Sequence, residues 1–336
     1  ILGAEILVKP ETAPLSAPGS PRETPGPLPS PGDERPWARL AATLRFDGLF
    51  WRKLAWLGSV YGPEWWKRYS PPFFAAAIFA VAHRNRRGAA ACQARIEDVA
   101  PRSIAAYGAA FRMFRTFAHC MTETMEFYGP CPRPFRIEEP QRNPVAEALA
   151  RGQGVILATA HVGNWDVSAR ALQATGRPIN IVMGREPNET TQDYVRRTRE
   201  QVGVKVILSD SSVFSAFNMI RALRRNEILA IQVDRPATGP AAPAGIRAVP
   251  FLGEAAPFLE GPFHLARVSG APVIPVFTLR RAVRHYEIVL GEPRYVSREV
   301  AGDAGRALCE TVALLERTVR ENPDQWFQFA PLWANR

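Results

Sequence analysis

From residue 151 onward, short apolar runs alternate with amphipathic stretches, and this alternation limits the fold more than any other feature of the chain. The apolar runs fall at residues 155–160 (VILATA), 179–183 (INIVM), 205–208 (KVIL), 228–233 (ILAIQV) and 272–279 (PVIPVFTL). Amphipathic segments lie between them, at 167–174, 191–201 and 215–225. Near-continuous apolar runs of strand length belong to strands covered on both faces, and strands that alternate with helices are joined by parallel crossovers. The expected fold is therefore α/β, with a mainly parallel central sheet flanked by helices. Such sheets collect their ligands at the carboxyl ends of the strands.

The first 150 residues read differently. Residues 1–36 hold nine prolines and lack apolar periodicity after a short ILGAEILV start, the signature of a Pro-rich tail or linker. Residues 37–150 read as helical. Ile104, Tyr107, Phe111, Phe114, Ala118, Met121 and Met125 follow one another in steps of three and four, one face of a helix. Ser103 is placed to cap its start, and Gly129-Pro130 to stop it. Upstream, Gly62-Pro63 and Pro71-Pro72 break residues 37–85 into shorter helical pieces. The organisation expected is a tail over 1–36, a helical, basic and aromatic region over 37–150, and an α/β core over 151–336.

The net charge of +10 is concentrated rather than spread. Residues 37–90 carry nine Lys and Arg against Asp47 and Glu64, a net +7. A segment of this kind seeks an anionic surface, either nucleic acid or phospholipid. No helix-turn-helix, RNP or zinc-finger pattern accompanies the charge, and tryptophans and an apolar run (72–82) do, so no nucleic-acid partner is expected. The 72–82 run is about half the roughly 20 residues that a membrane span requires. Trp51, Trp56, Tyr61, Trp65, Trp66, Tyr69, Phe73 and Phe74 interleave with Arg52, Lys53, Lys67 and Arg68, as in segments that lie along a membrane face. An aromatic core with a solvated basic rim has the same pattern. Cys92, Cys120, Cys131 and Cys309 stand far apart without CxxC pairs or a Cys/His cluster, so no metal site is expected and a reducing compartment is the default.

Three strand ends carry candidate chemistry. His161 directly follows GVILATA, and Asp166 falls in the first turn of the next helix. A carboxylate near the imidazole would fix its tautomer and stabilise its charged form, leaving the other nitrogen to take a proton. The spacing itself says little: with five His and 32 acidic residues, a His-x4-acid match arises by chance about 0.5 times in such a chain. The information lies in its place at a strand end, a Gly-Asn turn and a helix start. A buried structural histidine beside a helix-start carboxylate accounts for it equally well. Asp234-Arg235 ends the strand EILAIQV, and Arg185 follows INIVMG, where an arginine can bind a phosphate or carboxylate. A surface ion pair and a solvated loop arginine are the corresponding plain readings.

Taken in order, six blocks resemble the late acyltransferases of lipid A biosynthesis, a family that also includes the mycobacterial phosphatidylinositol mannoside acyltransferases. They are WRKLAWLGSVYGP, HVGNWD, GREPN with RRTREQVGVKVI, VDRP, VPFLGEAAPFLEGP with GAPVIPV, and ENPDQWFQFAPLW. They span residues 47–336. The resemblance implies a glycerolipid acyltransferase-like fold and an enzyme that moves a fatty acyl chain from a thioester to a lipid hydroxyl. The acceptor expected is a glycolipid such as a lipid A precursor; the alternative is a lysophospholipid or other glycophospholipid acylated from acyl-CoA. The donor, acyl carrier protein or coenzyme A, is a co-substrate, and no cofactor is expected.

Carried over residue by residue, the resemblance makes His161 the general base, Asp166 its acidic partner and Asp234 a second carboxylate of the site. Asn164, Arg185 and Arg235 fall at substrate-binding positions. Backbone N–H groups near Gly163-Asn164, or an arginine, are the oxyanion donors expected. The implied partners are membrane lipids and the acyl thioester carrier. The implied location is the cytoplasmic face of the inner membrane, held peripherally or by an N-terminal anchor; relatives usually carry an N-terminal transmembrane helix, and this chain shows none.

Overall fold

A computed structural model describes residues 49–130, 133–184, 199–200, 203–209, 213–235 and 245–333. The expected tail over 1–36, Arg185 and all but residues 199–200 of the amphipathic segment over 191–201 lie outside these residues. Helices α1 (Leu49–Tyr61), α2 (Glu64–Tyr69), α3 (Pro71–Val81), α4 (His83–Ile96) and α5 (Ile104–Phe127) come first. The breaks at Gly62-Pro63 and Pro71-Pro72 fall where the sequence places them. Proline sits without cost at the first position of α3, where its missing N–H would have no partner. At the start of α5 the Ser103 hydroxyl accepts from the Ala106 N–H at 3.1 Å, and the helix stops before Gly129.

The expected stripe of α5 is covered only in part: Phe114 is buried, and Tyr107, Ala118 and Met121 pack against the same cluster. Ile104 is 93% exposed, and Tyr107, Phe111 and Met121 are only partly covered. The buried face also runs through Ala106, Ala110, Met113, Phe117, Cys120, Thr124 and Phe127. Small residues on this face let α3 and α4 approach closely, and the acids Glu123 and Glu126 point inward, so apolar periodicity alone finds the face only in part.

Strands β1 (Arg136–Glu138), β2 (Val155–Thr159), β3 (Ile179–Gly184), β4 (Val204–Ser209), β5 (Ile228–Gln232), β8 (Val273–Ala282) and β9 (His285–Leu290) form one sheet in the order β1-β9-β8-β2-β5-β3-β4. Strands β6 (Ile246–Phe251) and β7 (Glu254–Leu259) pair as a separate antiparallel hairpin. Within the sheet, β8 and β9 run antiparallel and every other described pair is parallel. The five apolar runs read from the sequence are β2, β3, β4, β5 and β8. The sequence reading contained no counterpart of the short β1, of β9 or of the β6–β7 hairpin.

Helices α6 (Pro144–Ala150), α7 (Trp165–Gln173), α8 (Val213–Arg224), α9 (Gly261–Ser269) and α10 (Asp303–Glu321) supply the covering layers. Alternate residues of each central strand serve opposite layers. Val155, Leu157 and Ile228 pack with Leu149 of α6 and Ala169 of α7. Ile156, Ala158, Leu229 and Ile231 pack with Leu223 of α8, Phe263 of α9 and Leu308, Val312 and Leu315 of α10. Each such side chain contributes about 1.5–3 kcal/mol on burial, which is why these strands contain almost no polar residues. A third cluster joins α3, α4 and α5 to Phe327 and Phe329 near the carboxyl end of the described chain, and β1, from within residues 37–150, pairs with β9 of the main sheet.

Candidate active site

Strands β2 and β5 are parallel neighbours, with Thr159 opposite Gln232. Two residues past these partners stand His161 and Asp234, so the register itself brings them together. His161 Nδ1 lies 2.9 Å from Asp234 Oδ1. The His161 backbone N–H donates to Asp234 Oδ2 at 2.9 Å, and the Trp326 indole Nε1–H donates to the same oxygen at 2.9 Å. The Asp234 side chain is fully buried and that of His161 is 10% exposed. Burial would raise the Asp234 carboxyl, but the charge and hydrogen bonds of His161 outweigh it and hold the group down at about 2. An ionised carboxylate has no proton to give, so Nδ1 is the protonated nitrogen, and Nε2 on the far side of the ring is left to accept. The Trp165 ring packs edge-on to the imidazole, with centroids 5.3 Å apart.

The expected His161–Asp166 pair does not form. Asp166 Oδ1 accepts from the Tyr128 hydroxyl at 2.9 Å and from Arg199 Nη2 at 3.1 Å. All of this is buried: Asp166 is 1% and Arg199 2% exposed. Burial would lower the Arg199 guanidinium, but the charge of Asp166 raises it, and burial followed by Asp166 lifts the Tyr128 hydroxyl well above its ordinary range. The physical reason is direction. From the first turn of α7, Asp166 faces Tyr128 at the end of α5, whereas Asp234 leaves a strand beside that of His161.

The turn between β2 and α7 is built for close approach. Gly163 has φ +55°, and a Cβ there would lie 1.9 Å from the Thr278 carbonyl oxygen. The Gly163 N–H donates to Gln325 O at 2.8 Å and the Asn164 N–H to Thr278 O at 3.0 Å. Both expected oxyanion donors are thus already engaged. The Asn164 side chain is engaged as well: its Oδ1 accepts from Thr124 at 3.0 Å, and its Nδ2 donates to Cys120 O at 3.2 Å and to the Tyr286 hydroxyl at 3.1 Å. It braces the turn against α5 rather than standing open to a substrate. Tyr286 passes its own proton to Glu123, which also accepts from Arg280 at 2.7 Å and 3.0 Å.

Arg235 follows Asp234 and donates to the Phe327 carbonyl at 2.9 Å. Among the described residues no group of three or more His, Cys, Asp or Glu could hold a metal ion. Three residues of the site escaped the sequence reading. Trp326 lies within the PDQW block and Arg199 within RRTREQ, so both were in view without a role. Tyr128 carried no signal at all.

The arrangement is a buried carboxylate–imidazole pair at the carboxyl ends of two parallel strands, with the second ring nitrogen turned away from the carboxylate. A protein family described as bacterial lipid A biosynthesis acyltransferases matches residues 74–335 of the chain. A phosphatidylinositol mannoside acyltransferase of Mycolicibacterium smegmatis is 27% identical over 190 residues, covering 55% of this chain and 59% of that protein. A Mycobacterium tuberculosis protein of the same name is 30% identical over 130 residues, 38% of this chain and 39% of that one. The chain thus matches less than two thirds of the length of these relatives.

Proposed function

Because the chain belongs to the bacterial lipid A biosynthesis acyltransferase family and is an enzyme that transfers acyl groups, we propose that it carries a fatty acyl chain from an acyl thioester, on acyl carrier protein or coenzyme A, to a hydroxyl of a glycolipid, with His161 as general base. The observation that carries this reading is the 2.9 Å contact between His161 Nδ1 and an Asp234 already fixed by two further donors. The acceptor hydroxyl sits against Nε2. Nε2 takes its proton as the oxygen attacks the thioester carbonyl, and Asp234 stabilises the imidazolium that results. The tetrahedral intermediate collapses with loss of the thiolate, which recovers the proton from His161. The first-turn N–H groups of Trp165 and Asp166 point from the start of α7 without a partner among the described residues, and they are the donors proposed for the oxyanion. Asp166 serves as a positioning residue, holding Arg199 and Tyr128 around that helix start.

The names of the relatives favour a glycosylated phospholipid as acceptor over a lysophospholipid. Among the described residues no helix is long and apolar enough to cross a membrane. Leu54, Leu57 and Tyr61 on α1 and Phe73 on α3 are 45–75% exposed, which supports peripheral docking on the anionic cytoplasmic face of the inner membrane. The deciding experiment is His161→Ala, assayed by mass spectrometry of acylated acceptor. Turnover should fall by roughly two to four orders of magnitude. Near-normal transfer by a folded variant removes His161 from the mechanism.

A further inference from the structure

Away from His161, a surface cleft of about 370 Å³ opens between α2, the last turns of α5 and the β8–β9 turn. Its lining includes none of His161, Asp166 or Asp234. Two exposed aromatic side chains line it, Trp65 (62% exposed) and Tyr69 (59%). Below them lies a lattice of fixed charges. Glu126 accepts from Lys67 Nζ at 2.9 Å and from Arg284 Nε and Nη2 at 2.7 Å and 2.8 Å. Arg284 Nη2 also reaches Glu64 at 2.9 Å. The Lys67 and Glu126 side chains are only 8% and 3% exposed, so the lattice is held in place by the fold and not by mobile surface groups.

The lattice is not fully used. Among the described residues Arg284 Nη1 has no hydrogen-bond partner, and the half-exposed Glu64 carboxylate retains lone pairs toward solvent. The cleft thus presents donors and acceptors side by side under an aromatic wall. Its charges balance: Glu64, Glu123 and Glu126 face Lys67, Arg68 and Arg284. A phosphate would meet three carboxylates, a cation would meet three cations, and an acyl tail would strip water from six charges. A neutral polyol meets none of these costs. It offers hydroxyls that both donate and accept, and its C–H face stacks on Trp or Tyr.

We propose that this cleft is a carbohydrate-binding site that takes one sugar or cyclitol ring. That the ring belongs to the headgroup of the acyl acceptor rests on the acyl-transfer reading above. The cleft connects to the catalytic turn through Glu123, whose Tyr286 partner holds the Asn164 side chain.

The test uses the full chain with methyl α-D-glucopyranoside, myo-inositol and inorganic phosphate as probes, followed by saturation-transfer NMR. Saturable binding of a polyol, no comparable binding of phosphate, and about tenfold weaker binding in Trp65→Ala or Tyr69→Ala are expected. His161→Ala should bind the polyol as the parent does. Absence of saturable polyol binding, equal binding of phosphate, or binding unchanged in both aromatic variants overturns the site. In acyl transfer, a KM for glycolipid about tenfold higher in Trp65→Ala, with kcat and the KM for acyl-CoA unchanged, makes the ring a lipid headgroup. An unchanged KM alongside lost polyol binding makes it a free sugar and refutes the headgroup assignment. Polyol binding in a chain that transfers no acyl group would refute the acyl-transfer reading and leave the cleft standing.

Discussion

At the scale of single residues, the separation of Asp166 from Asp234 shows what decides which carboxylate an imidazole meets. Asp166 is five positions from His161, and Asp234 is 73 positions away, yet the distant residue makes the bond. A helix-start side chain and a strand-end side chain leave the backbone in different directions, and only the second lies beside the imidazole. The place of His161 at a strand end was legible in the sequence; its carboxylate partner was not, because strand register is a property of the folded sheet. Asn164 taught the reverse lesson, since a polar side chain in a catalytic block turned out to be structural. His119 on α5 gives a prediction at this scale. Burial, with Arg280 and Arg115 nearby, lowers its imidazole to about 4, so the folded protein keeps it neutral while the unfolded chain protonates near 6.5. Between those values the unfolded state binds the extra proton, and stability falls as pH drops from about 6.5 to about 4. Urea unfolding of His119→Gln should show a shallower decline over that window than the parent, and parallel curves would contradict it. Asp234 moves the other way: held at about 2, its contribution is intact above an ordinary carboxylate value near 4 and is lost only as pH falls from about 4 toward 2.

At the scale of elements, the five parallel strands were readable because each is a run of mostly apolar residues, buried on both faces in β2 and less completely toward β4. The two strands β1 and β9 on one side of the sheet were not. β1 has three residues, and β9 alternates in a way that polar loops also show. The face of α5 was read only in part because, beside Met113, Phe114, Phe117 and Phe127, its inward residues include alanines and two paired acids, which carry little apolar signal. The β2–α7 turn makes the sharpest prediction. Gly163→Ala forces a side chain into left-handed backbone and against the Thr278 carbonyl oxygen, and should cost roughly 2–4 kcal/mol in denaturant unfolding. Stability equal to the parent would mean that the turn is looser than 1.9 Å of clearance implies.

At the scale of the whole molecule, the α/β architecture followed from patterning, and the family from ordered motifs spread along the chain. The relation between the helical region and the sheet did not, because it is written in scattered contacts such as Phe114 and Phe117 against Phe329. Those contacts fix α5 to the body that carries the sheet, and α3 packs on α5 in turn through Phe79 against Phe114, so docking these helices on a bilayer would orient the whole molecule. In vesicle flotation with anionic phospholipid, the double variant Leu57→Glu/Phe73→Glu should partition about tenfold less than the parent, or worse. Undiminished flotation would place the membrane contact on another face.

The segment after α10 has one more consequence. Gln325 receives the Gly163 amide, Trp326 tethers Asp234, and the Phe327 amide closes on the His161 carbonyl. A polypeptide leaving the ribosome presents the base and its acid long before it presents these three clasps. On the proposed mechanism the pair is therefore left unclasped until residues 325–327 have followed it out, and a chain stopped short of them should not hydrolyse thioesters.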